Sequence, residues 1–189
     1  MDIVNLSTVR QSFANTVFTH KVQEIAAEHQ EKKAFWIKIL NIILVSLVLI
    51  LLFLQAKFPQ IILITYIGVG VTISEIIFLI IQLTFSFESR MITHKNSALR
   101  FLGLRDNYRL LIADIMNERV SRKDLTARRD VFQKEYQIIC ELAPQTGSGE
   151  YFEAQRRLNK KGEVQSEEFT WSDEEIDRFL PEKMRLKKK

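Results

Sequence analysis

"AFWIKILNIILVSLVLILLFLQAKFPQIILITYIGVGVTISEIIFLIIQLTFSF", residues 34–87, decides the fold. Between Lys38 and Lys57 it carries no charge, and beyond Lys57 its only ionisable acid is Glu75. A helix needs about 20 apolar residues to cross ~30 Å of hydrocarbon. The first part, 34–56, meets that length. The second, 58–87, would rise roughly 45 Å as a helix, so its last turns are expected to protrude as a stem. Only "QAKFPQ" (55–60) separates the two, and Pro59 suits the first turn of the second helix. The expectation is a two-helix membrane hairpin.

Charge on the flanks orients it. The loop holds Lys57 alone, whereas Lys32, Lys33 and Lys38 precede the first span and Arg90, Lys95, Arg100 and Arg105 follow the second. The positive-inside rule then puts both termini in the cytoplasm, with Trp36 at the inner headgroup level. The long polar segment before the first span argues against a cleaved signal peptide.

The flanks read as helical. Leu6, Val9, Phe13 and Val17 recur at helical spacing, with Ser7 available as a cap. Phe101, Leu104, Tyr108, Leu111 and Ile115 form a heptad-like seam, and Leu125, Phe132, Tyr136, Ile139 and Ala143 form another after a polar break near "ERVSRKD". "APQTGSGE" interrupts, a short helix from Tyr151 to about Asn159 follows, and "KKGEVQSEEFT" lacks periodicity and reads as a loop. Ser172 with Glu175 makes a capping box for a short helix ending before Pro181. The fold class is an all-α membrane protein, its hairpin joined to a cytosolic helical bundle built from the N- and C-terminal segments. The divisions are 1–33 (amphipathic helix), 34–87 (hairpin), 88–160 (stem and helices) and 161–189 (loop, short helix, basic tail).

The 189-residue chain has a formal charge of +4 and one cysteine, Cys140, so it can form no intrachain disulfide. His20, His29 and His94 are scattered, and none has a second ligand at metal-binding spacing. "GVGVTI" opens like a dinucleotide loop, yet Ile73 stands where the third glycine belongs and no strand precedes it. No nucleophile, base or phosphate loop can be assembled, so neither an enzyme nor a cofactor nor a metal is expected, and no nucleic-acid partner. Arg119, Arg122, Lys123, Arg128 and Arg129 cluster at a helix junction and could meet a phosphate-bearing signal, although solvated helix ends have the same composition. The closing "KMRLKKK" suits anionic lipid.

Steps of three and four along the second span give Thr65, Gly68, Thr72, Glu75, Leu79, Gln82 and Ser86, one face that is polar or small except at Leu79. Such a stripe either brings helices close together or faces water in a pore built by several copies. If the chain turns near Lys57 and Phe58, Glu75 is level with Leu40, within a turn of both Lys38 and Asn41. An unpaired acid at mid-membrane costs roughly 3 kcal/mol on insertion scales. Two arrangements avoid that cost: pairing with Lys38 or Asn41, or a ring of Glu75 side chains in a wet pore.

The short hairpin, then "ESRMITHKNSALRFLGLRDNYRLLIADI" (88–115), then "RRDVFQKEYQIICELAPQTGSGEYFEAQRRL" (128–158) together resemble the SLATT domain, the two-transmembrane effector associated with SMODS nucleotidyltransferases and SLOG sensors in bacterial conflict systems. The resemblance rests on architecture and spacing, covers most of the chain to Leu158, and transfers no residue individually. It implies a homo-oligomeric pore in the bacterial inner membrane that depolarises or permeabilises it on activation. It also implies a cyclic-oligonucleotide synthase or another sensor encoded nearby, since no such region is appended to this chain. The other reading is a membrane-anchored helical adaptor that tethers a partner without conducting.

Overall fold

The computed structural model describes residues 3–159 and 170–186. Among these residues it contains α1 (Ile3–Lys57), α2 (Ile62–Thr84), α3 (Phe87–Met116), α4 (Arg122–Leu142), α5 (Ser148–Arg157), α6 (Asp173–Asp177) and a 3-10 turn (Glu182–Met184), with no strand. The expected loop at 160–169 and the last three residues of the basic tail lie outside the described residues. Two compact units result: the chain up to Ala27 together with the chain from Ile92 onward, and Glu28–Met91.

Helix α1 runs for 55 residues without a break, where the sequence suggested a short amphipathic helix followed by a separate span. No glycine or proline occurs in Ile3–Lys57, so nothing in the backbone ends the helix before Pro59. Ser7 accordingly lies inside α1 and caps nothing. Pro59 does not start α2 either. It occupies a four-residue turn closed by the Ile61 N–H donating to the Phe58 carbonyl at 3.1 Å, the second position of which suits proline's fixed φ. At the far end, α2 stops at Thr84 instead of continuing as a stem. The Phe87 N–H folds back onto the Phe85 carbonyl at 2.9 Å, and the Ser86 carbonyl accepts the first turn of α3 from Arg90.

The first unit is organised by aromatic and aliphatic side chains at helical spacing. Leu6, Val9, Phe13, Val17 and Ile25 of α1 pack with Phe101, Leu104, Tyr108, Leu111 and Ile115 of α3 and with Leu125 and Ile139 of α4. Rings interlock across these helices: Tyr108 meets Phe132 edge-on at 5.3 Å, and Phe101 meets Tyr136 at 5.6 Å. Both heptad-like seams read from sequence are therefore spent on packing within the chain. Between α3 and α4, Glu118 adopts a left-handed φ of 56°, with Arg119 N–H bonded to the Asp114 carbonyl and Glu118 N–H to Ile115, a Schellman ending. Ser121 then caps α4 by accepting the Asp124 N–H.

The C-terminal elements fasten onto the start of α1. Trp171 is buried and donates its indole N–H to Asn15 at 2.8 Å, while the Gln11 amide exchanges two hydrogen bonds with the Trp171 backbone. Arg10, fully buried, donates to Asp177 at 2.7 Å and to Asp173 at 3.3 Å. The Ser172–Glu175 capping box expected from sequence orients α6 so that both aspartates face Arg10.

Two predictions follow from this packing. Phe13→Ala, which empties a ring that is 1% exposed, is expected to lower stability by about 3–5 kcal/mol in denaturant unfolding of the full chain. Burial pushes the Tyr136 phenol up to about 12, opposed by its hydrogen bond with Thr19. The folded chain thus keeps a proton that the unfolded chain loses above about pH 10, so stability is expected to fall by up to about 3 kcal/mol between pH 10 and 12. Tyr136→Phe should flatten that alkaline loss while costing about 1 kcal/mol at neutral pH.

Candidate functional site

In the second unit, α1 and α2 lie side by side with their sequences running in opposite directions. The positions drawn away from solvent on α1 include Ala34, Ile37, Asn41, Leu44, Val48, Leu51 and Gln55, and on α2 Thr65, Gly68, Val71, Glu75, Phe78 and Gln82. Both sets advance by steps of three or four, alternating throughout on α1 and from Gly68 onward on α2, the spacing by which two helices keep one seam in contact. Gly68 is the point of close approach, since a methyl group there would stand 4.0 Å from the Leu51 Cβ.

The stripe read from the sequence is split by this geometry. Thr65, Gly68, Glu75 and Gln82 lie on the seam, whereas Thr72 and Leu79 are exposed on the neighbouring face. Ser86 falls beyond the end of α2, in the connection to α3. Val71 and Phe78 complete the seam and were passed over, because a search for polar residues ignores the apolar members of a heptad.

Depth also changes. Gly68 faces Leu51, so Glu75, seven residues further on, is level with Leu44, seven residues back. The expected register placed it level with Leu40; the turn at Phe58–Ile61 sits later than Lys57–Phe58 and shifts the pairing by one helical turn. Asn41 remains within a turn of Glu75, while Lys38 lies roughly 9 Å further along the axis. Lys38 instead forms an ion pair with Glu88. Inside the seam, the side-chain carbonyl oxygens of Asn41 and Gln82 are buried without a hydrogen-bond partner. A buried acceptor left unmet costs about 1–3 kcal/mol.

The outward faces are of the opposite character. Ile42, Ile43, Ile50 and Phe53 of α1 and Ile62, Ile73, Ile76 and Ile80 of α2 are exposed. The hydroxyls among them are already satisfied, with Ser46, Thr72, Ser74 and Thr84 each donating to the carbonyl four residues earlier. Both helices are long and apolar enough to cross a membrane.

The basic junction is partly occupied. Arg128 pairs with Asp114 at 2.9 Å, and Arg129 with Asp130 at 3.1 Å and Asn5 at 3.3 Å. Arg119, Arg122 and Lys123 are exposed around the Schellman turn and the start of α4, and no aromatic ring contact involves this cluster among those described. The cations that do line a cleft, Lys21, Arg105 and Arg109, stand elsewhere in the first unit. Their signal in the sequence was the four-residue spacing of Arg105 and Arg109, which sets both on one face of α3.

The register of the pair is directly testable. In a Cys140→Ser background, Leu44→Cys with Glu75→Cys is expected to form a disulfide readily in membranes, and Lys38→Cys with Glu75→Cys to form little, as read by a mobility shift on non-reducing gels. Gly68→Ala should be tolerated and Gly68→Leu should suppress the Leu44–Glu75 crosslink, because a larger side chain separates the helices at Leu51.

A family model described as the SMODS and SLOG-associating 2TM effector domain, family 4, matches residues 6–175. No curated protein and no solved structure matches the chain significantly. The match takes in both apolar helices and nearly all of the first unit's core, including Leu6 of α1 and Trp171 beside α6. The chain is therefore a membrane protein belonging to the SMODS and SLOG-associating 2TM effector domain family 4, the two-helix effector domains of SMODS and SLOG conflict systems.

Proposed function

We propose that this chain is the membrane effector of a bacterial anti-phage or conflict system. On activation by a sensor or a cyclic-oligonucleotide signal, several copies assemble a gated pore that depolarises or permeabilises the inner membrane. In this reading α1 and α2 form a transmembrane hairpin with both ends of the chain in the cytoplasm, as the excess of Lys and Arg on the flanks of the spans requires. The first unit is then a cytosolic bundle that receives the signal.

One observation carries the proposal: Glu75 lies half-buried on a seam that also holds two buried, unmet acceptors, on Asn41 and Gln82. A helix pair built only to anchor would fill that seam with apolar residues. Polar groups closed inside an apolar seam hold free energy that is released when the helices part and meet water or other copies. The resting pair and the assembled pore thus differ in what these groups face. In the assembled state, copies of Glu75 form a ring that favours cations.

A second reading has its own support. The outward hydroxyls of Ser46, Thr72, Ser74 and Thr84 are satisfied within their helices, so a single hairpin can rest in lipid without other copies. That suits an adaptor which only tethers the first unit and conducts nothing.

Induced expression, with its activating partner where one is encoded nearby, is expected to collapse the membrane potential reported by a voltage-sensitive dye. Glu75→Leu should cut that response by roughly tenfold, the scale of about 1.4 kcal/mol at one polar position. An unchanged response would remove Glu75 from the mechanism. If cell killing survives exchange of residues 34–87 for an unrelated two-span anchor, the adaptor reading replaces the pore.

A further inference from the structure

A cleft of about 320 Å³ opens in the first unit, between α1, α3, the end of α5 and the segment after α6. Its walls carry two kinds of chemistry. Lys21, Arg105 and Arg109 present positive charge beside the His20 imidazole, and the partly buried Phe179 presents ring surface. Of the lining residues, Glu24 alone is acidic, and it is bound to Lys21 at 2.7 Å.

The two arginines are not fully engaged. Both lean on the same Asp106 carboxylate oxygen: Arg105 donates to it from Nε at 3.1 Å and from Nη2 at 3.0 Å, while Arg109 only approaches it at 3.6 Å. One carboxylate shared by two guanidinium groups leaves charge and donors over on both. Arg109 has no hydrogen bond of its own among those described. His20, which shares the cleft, is held below its ordinary value by burial first, with Glu24 and Asp106 pulling it up and Arg105 and Lys21 pushing it down.

We propose that this cleft binds a soluble organic phosphate of about nucleotide size, its phosphate held by Arg105, Arg109 and Lys21 and its flat apolar part against Phe179. The volume is at the lower end of small-ligand pockets and suits one nucleoside monophosphate. Guanidinium forks four residues apart on α3 offer paired donors to phosphate oxygens. The ring of Phe179 is steadied from behind by Trp171, 5.9 Å away and edge-on, so the apolar wall is built before a ligand arrives. The site stands independently of conduction by the membrane helices.

The test uses the full chain in nanodiscs of zwitterionic lipid, which removes competition from anionic headgroups, with AMP and inorganic phosphate as probes in calorimetric titrations. The wild type is expected to bind AMP more tightly than inorganic phosphate, and to weaken as salt is raised. Arg109→Gln, a substitution at a half-exposed position, should weaken both probes roughly tenfold without altering thermal stability. Phe179→Ala should weaken AMP by about fivefold while leaving inorganic phosphate unchanged. Absence of AMP binding to the wild type at millimolar concentration, or AMP affinity unchanged in both Arg109→Gln and Arg105→Gln, would overturn the proposal.

Discussion

Much of this structure depends on one constraint: polar side chains must be held between two helices whose other faces suit only hydrocarbon. Glu75, Asn41 and Gln82 sit on the seam of α1 and α2, which approach closely at Gly68. The seam draws the carboxylate partly away from its surroundings, yet it leaves the Asn41 and Gln82 oxygens buried without partners. A seam of that kind is closed at a cost. The proposed effector role uses that cost, because a structure that gains by exposing its seam needs only a modest signal to change state.

The first unit applies a different logic. Its heptad-like faces on α3 and α4 are consumed by α1, through the contacts of Phe13, Tyr108 and Phe132 and through Arg10's grip on Asp173 and Asp177. Those seams are unavailable for joining copies. In the proposed pore, assembly falls to surfaces that remain open, and regulation to the unit whose core the single chain builds. Phe179, in the segment after α6 and packed on Trp171, also lines the basic cleft, so the elements that close the core shape the place proposed for a ligand.

Sequence patterning reached much of this. The uninterrupted apolar run after Lys38, the seam at Phe101–Ile115 and the Ser172–Glu175 box each have a local cause, and each reads correctly from neighbours in the chain. What failed depended on a single register. The placement of Glu75 turned on whether Pro59 opens a helix or sits in a turn, and that choice moved its neighbour from Leu40 to Leu44. Polarity alone misassigned Thr72 and Ser86, since one turn of error in phase or one broken helix end carries a residue off the seam. The basic cleft was legible only in part: the spacing of Arg105 and Arg109 sets both on one face of α3, but Lys21 comes from α1, some 85 residues earlier, and only tertiary packing joins them.

The central claim is that the hairpin conducts. Recording from the purified chain reconstituted into planar bilayers at increasing density tests it most directly. The account predicts discrete current steps whose frequency rises more steeply than protein density, with a reversal potential in a salt gradient that marks cation preference. Bilayers that stay electrically silent across the whole density range, with the protein shown to be inserted, would contradict it.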